Sequence, residues 1–95
     1  MRQLEDTKPF RQDKRRIEMS GRYRRAMKER FAPAVVALLK DEPLDASYHD
    51  HALSGDMKGY RECHIRPDLL LAYRYVGEDW LILERLGSHA ELFGM

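Results

Sequence analysis

The chain has a single cysteine, Cys63, no long apolar run, and no histidine in its first 48 residues. A lone thiol cannot form an internal disulfide or a paired-cysteine zinc cluster, so a fold of this size must be held by packing or by a partner. Apolar stretches such as Leu69-Leu70-Leu71-Ala72-Tyr73 fall far short of the roughly 20 residues of a membrane helix. Arg2, Glu5 and Asp6 stand near the start, where a secretory signal would be apolar, so a cytoplasmic location is expected. Internal repeats and low-complexity tracts are also missing.

What remains is 95 residues, 43% hydrophobic and 35% charged: one ordered domain, spanning the whole chain, with no room for a large cofactor fold. A domain this small buries a lesser fraction of its surface and is expected to be marginally stable alone. The net charge of +1 hides a division. Residues 1–40 carry +7 and residues 41–95 carry −6. A basic half beside an acidic one suggests a polyanion on one side and a basic partner on the other; the plainer alternative is a solvated helix surface.

Periodicity gives an α+β reading. Arg2 to Leu4 offers a short first strand. Thr7 ahead of Lys8-Pro9 supplies a capping hydroxyl and a first-turn proline for a helix that ends near Ser20-Gly21, with Phe10, Asp13, Lys14 and Ile17 as its stripe. Tyr23, Met27, Phe31, Val35 and Leu39 recur at four-residue steps on a second helical face. Pro33 interrupts it, so the helix either kinks or starts afresh near Ala32; the fresh start is favoured. Asp41 to Gly59 reads as loop. Tyr60–Ile65, Leu69–Tyr75 and Trp80–Leu86 read as strands joined by short turns. The expected order is β-α-α-β-β-β, an antiparallel sheet with two helices packed on one face and the other face free to hold a site.

The four histidines, His49, His51, His64 and His89, fall in the second half together with Asp68 and Arg85. Antiparallel pairing would bring these strand ends toward one edge, with Tyr60, Glu62 and His64 sharing a face. Cys63 and His64 are neighbours and point to opposite faces, so they cannot act as a nucleophile pair. His49, His51, Cys63 and His64 are zinc-ligand types without zinc-module spacing. Imidazoles exchange protons near neutrality and a guanidinium matches phosphate oxygens. That combination suits metal-free cleavage of RNA, in which the 2′-hydroxyl is an internal nucleophile. Phe93 either stacks a splayed base or folds back to close the core.

Tyr48-His49-Asp50-His51-Ala52-Leu53-Ser54-Gly55, Gly59-Tyr60-Arg61-Glu62-Cys63-His64-Ile65-Arg66-Pro67-Asp68-Leu69 and Leu83-Glu84-Arg85-Leu86-Gly87-Ser88-His89-Ala90-Glu91-Leu92-Phe93 together resemble the YafQ branch of the RelE-like toxins, specifically from about Pro43 onward. These are bacterial messenger-RNA endonucleases of type II toxin–antitoxin systems that cut in the ribosomal A site and are silenced by a cognate antitoxin. The resemblance implies that His89 is the general acid, that His51, His64 and Asp68 abstract and position protons, that Arg85 stabilises the transition state, and that Phe93 holds the substrate. It assigns His49 no catalytic part and calls for no cofactor and no metal. Leu69 departs from the family's frequent tryptophan, which would remove a ring from base stacking. The loop from Gly21 to Phe31 reads as longer and more basic than in the family. The expected partners are an acidic antitoxin of ribbon-helix-helix type, mRNA and the ribosome, whose phosphates Arg15, Arg16, Arg24 and Arg25 would meet. Two alternatives stand beside this reading: a non-catalytic ribosome-, RNA- or antitoxin-binding module of the same fold, and a small zinc protein.

Overall fold

The computed structural model describes residues 1–94. In chain order it holds β1 (Gln3–Asp6), α1 (Lys8–Ser20), α2 (Arg24–Ala26), a π turn (Met27–Phe31), α3 (Ala32–Leu39), β2 (His51–Ala52), β3 (Arg61–Arg66), β4 (Leu69–Val76), β5 (Trp80–Gly87) and α4 (His89–Phe93). The five strands form one sheet in the order β1-β5-β4-β3-β2.

The two hairpins form as expected, β3 with β4 and β4 with β5, both antiparallel, and each carries a register shift, between His64 and Arg66 and between Ala72 and Tyr73. β1 is present but runs parallel to β5, with Gln3 opposite Trp80, so the sheet is mixed. β2 is an added two-residue strand, His51 pairing with Glu62. One sheet face carries the apolar core: Leu71, Tyr73, Leu81, Leu83, Leu86, Cys63 and Ile65 pack against Phe10 and Ile17 of α1 and Ala34, Val35 and Leu38 of α3.

The helix signals hold at α1. Thr7 Oγ1 accepts from the Phe10 N–H at 3.0 Å, and Gly21 ends the helix at φ +69°, a left-handed conformation that costs glycine little. The expected fresh start at Ala32 is corrected. Backbone from Ala26 through Ala32 stays helical, the Ala32 N–H reaches back to the Met27 carbonyl, and α2, the π turn and α3 form one continuous rod. The wider turn directly before Pro33 accommodates a residue that has no N–H and whose ring crowds the preceding turn. Tyr48 Oη donates to the Arg30 carbonyl in that turn at 2.9 Å. Much of the segment from Gly21 to Phe31, set against the family as a loop, is therefore helical, as the spacing of Tyr23, Met27 and Phe31 leads one to expect. Among the described residues no helix is long and apolar enough to cross a membrane.

Candidate active site

Directly paired positions of neighbouring strands present their side chains on the same face. His51 pairs with Glu62, Glu62 with Ala72, and Ala72 with Arg85. These four residues make a row across β2, β3, β4 and β5 on the face away from the core. Adjacent strands lie about 4.8 Å apart, which puts Glu62 and Arg85 roughly 10 Å apart at the backbone, with only the methyl of Ala72 between them.

Glu62 is the centre of the site. It is 1% exposed, and three imidazoles converge on one of its oxygens: the Nε2 atoms of His89, His64 and His51 lie 3.2, 3.5 and 3.6 Å from Oε1. Its other oxygen, Oε2, is buried without a hydrogen-bond partner among the described residues. A buried carboxylate facing three titratable rings is a costly arrangement for a merely structural residue. His51 Nδ1 lies 2.6 Å from the His49 carbonyl. A carbonyl only accepts, so Nδ1 carries the proton and Nε2 is the atom left for proton exchange. Burial pushes the His64 imidazole below its ordinary value; the Glu62 carboxylate opposes this, and His49, His51 and His89 add to the lowering. His64 is thereby kept neutral near pH 7.

His89 begins α4, a helix capped by reciprocal hydrogen bonds between Ser88 and Glu91, and its ring meets that of Phe93 with centroids 5.2 Å apart. Phe93 is half-buried and lines an open cavity of about 390 Å³ with His51, Glu62, His64 and His89. It faces the site rather than closing the core.

Arg85 is held from α1. Asp13, 3% exposed, accepts from Arg85 Nε at 2.7 Å and Nη2 at 3.2 Å and from the Leu86 backbone N–H at 3.0 Å. Burial pushes the Asp13 carboxyl up, but the hydrogen bonds from Arg85 and Leu86, the Arg85 charge and a contact from Arg16 outweigh it and hold it below its ordinary value. Arg16 also pairs with Glu91 of α4, so Arg85 and His89 are tied to the same end of the molecule.

Asp68 is not drawn into the cluster. Its carboxylate accepts from Tyr23 Oη at 2.7 Å and Arg22 Nη2 at 3.4 Å, on the exposed β3–β4 turn. Leu69 is 1% exposed and part of the core, so an aromatic ring at its present position would be buried instead of stacking a base. Cys63 points into the core, where burial pushes its thiol up to about 12, away from His49, His51 and His64, whose rings do meet. Among the described residues no group of three or more His, Cys, Asp or Glu is disposed to hold a metal ion. Of the four arginines expected to meet RNA, Arg16 is engaged internally with Asp13 and Glu91, Arg25 pairs with Glu29, and Arg15 and Arg24 are exposed.

Residues 2–94 match the family described as the bacterial toxin of type II toxin-antitoxin system, YafQ. This chain belongs to the YafQ toxin family. The mRNA interferase toxin YafQ of Escherichia coli K12 is 38% identical over 90 residues, covering 84% of this chain and 97% of that protein. YafQ in the E. coli DinJ–YafQ complex superposes with a TM-score of 0.83 at 33% identity, over 99% of this chain and all of that one. A metal-bound toxin from Helicobacter pylori gives 0.85 at 38% identity, over 98% of this chain and all of that one. The five-stranded mixed sheet with few helices is the YafQ/RelE-like fold, and the chain is a type II toxin of the mRNA-interferase family.

Sequence reasoning missed Glu62 as a site residue and Asp13 as the anchor of Arg85. The parity of Glu62 with His64 was the available signal for the first. The helical stripe through Asp13 marked it as inward-facing without naming its partner.

Proposed function

We propose that this YafQ-family toxin is a ribosome-dependent mRNA endonuclease that cleaves by 2′-hydroxyl attack with no metal. The observation that carries the proposal is the convergence of three imidazole Nε2 atoms on the buried Glu62 Oε1, with Arg85 in the same row of the sheet. The His51–His64 pair takes the 2′-hydroxyl proton on one of its two Nε2 atoms, the oxygen attacks the adjacent phosphorus, and His89 protonates the departing 5′-oxygen. The products are a 2′,3′-cyclic phosphate and a 5′-hydroxyl. Arg85 offsets the charge gathering on the phosphoryl oxygens, and Glu62 offsets the positive charge as an imidazole is protonated. Phe93 supplies a flat ring beside the scissile linkage. Asp68, outside the cluster, positions the rim through Tyr23 and Arg22.

The E. coli relative is solved with DinJ; for this chain an acidic antitoxin, of ribbon-helix-helix type, is proposed to cover the basic half, the surface that otherwise meets ribosomal RNA. His89→Ala and Arg85→Ala in a translation extract test the chemistry. Each is expected to lower mRNA cleavage by about 100-fold or more, with wild-type cleavage persisting in a chelator selective for transition metals that leaves ribosomal Mg²⁺ in place. Undiminished cutting by both variants removes the assigned roles and leaves a binding module of the same fold.

A further inference from the structure

A second and larger cavity, about 760 Å³, adjoins the histidine cluster and shares His64 with it as a wall. It lies between the helical rod and the loop ahead of β2, and its size is within the roughly 300–1,000 Å³ of small-molecule sites. Nothing in the proposed cleavage uses it. Arg66 stands on its rim, as do Arg25 and Glu29, which neutralise each other in an ion pair at 2.8 Å, and Ala26, Ile65 and Pro67 give it an apolar side. Arg30 is consumed in building it: the guanidinium lies over the Tyr48 ring at 3.8 Å and donates to Ser47 Oγ and to the carbonyls of His64 and Ile65. His49 completes the wall. Its ring meets that of His64 edge-on, with centroids 5.5 Å apart, and its backbone sits at φ +49°, a conformation uncommon outside glycine and associated with functional positions.

We propose that this cavity is the subsite for the RNA nucleotide next to the scissile linkage, with the base against the apolar side and His49 and the phosphate toward Arg66. The proposal rests on the nuclease reading for the identity of its ligand. Flat rings and guanidinium planes accept unstacked bases, and guanidinium groups pair with phosphate. Sharing His64 makes the cavity continuous with the reaction site, which favours a substrate nucleotide over a peptide.

The test combines kinetics and binding. Arg66→Gln and His49→Asn are suitable because asparagine tolerates the left-handed backbone. On programmed ribosomes, Arg66→Gln is expected to raise the half-saturating substrate concentration about tenfold, and His49→Asn to relax the preference for the nucleotide flanking the cut. Wild-type saturation and wild-type cut positions in both variants overturn the subsite and leave the nuclease reading intact. The second arm titrates the wild-type toxin with a 2′-deoxy-substituted trinucleotide, which cannot be cut, and follows backbone NMR shifts. Shifts at His49, Arg66 and Ala26 support the subsite even where the toxin fails to cleave. Shifts confined to His51, Glu62 and His89, or at these cavity residues only with an acidic peptide, overturn it.

Discussion

At the scale of single residues, the site depends on two buried carboxylates. Glu62 raises the proton affinity of His64 against the lowering due to burial. Glu62→Gln removes that pull while keeping the shape. His64 then titrates lower, so the acidic limb of the cleavage rate against pH is expected to move to lower pH. The maximal rate should fall about 10- to 100-fold as the rings lose their common anchor; an unmoved limb would separate Glu62 from the chemistry. Asp13 acts through Arg85. Its folded-state value is depressed below 3.8, so its contribution to stability is complete above the unfolded value and disappears as pH falls through the folded one. Asp13→Asn is expected to cost on the order of 2–3 kcal/mol at pH 7, a deficit that narrows below about pH 4, as chemical denaturation at several pH values would show. The histidines were legible because they are few and clustered. Glu62 was not, because a glutamate in a chain this charged reads as surface until flanking strands close over it.

At the scale of elements, Thr7 joins two structures at once. Its hydroxyl accepts from the Phe10 N–H and donates to the Glu84 carbonyl at 2.8 Å, coupling the start of α1 to β5. Thr7→Ala is expected to destabilise the fold by about 1–2 kcal/mol, read as a lower denaturation midpoint with an unchanged m-value. Capping and alternation made α1 and the three long strands readable, since both signals are local. β1 was readable only in place. Its four residues are all exposed, so no pattern indicated which strand it would join or in which direction. The rod posed a different problem: Pro33 sends the same local signal for a break as for a kink, and the choice rests on contacts such as Tyr48 with the Arg30 carbonyl, 18 residues away.

At the scale of the whole molecule, the division of charge gives the proposed contact with ribosomal RNA a direct test. Affinity for ribosomal RNA is expected to fall as salt rises, and the triple change Arg15→Gln, Arg24→Gln, Arg25→Gln should flatten the log–log slope by about one per lost phosphate contact, measured by titration at several salt concentrations. An unchanged slope would return these arginines to the solvated surface. The fold also brings early and late segments to one sheet: β1 pairs with β5, and His89 reaches the cluster from α4, which follows all five strands. Proteins are made from the amino end, so a nascent chain holds a stub of strand waiting for a neighbour not yet synthesised and lacks the proton donor assigned to the cut. Translation products that stop before α4 are therefore expected to spare the ribosome that releases them, because the proposed proton donor is absent until that helix is made.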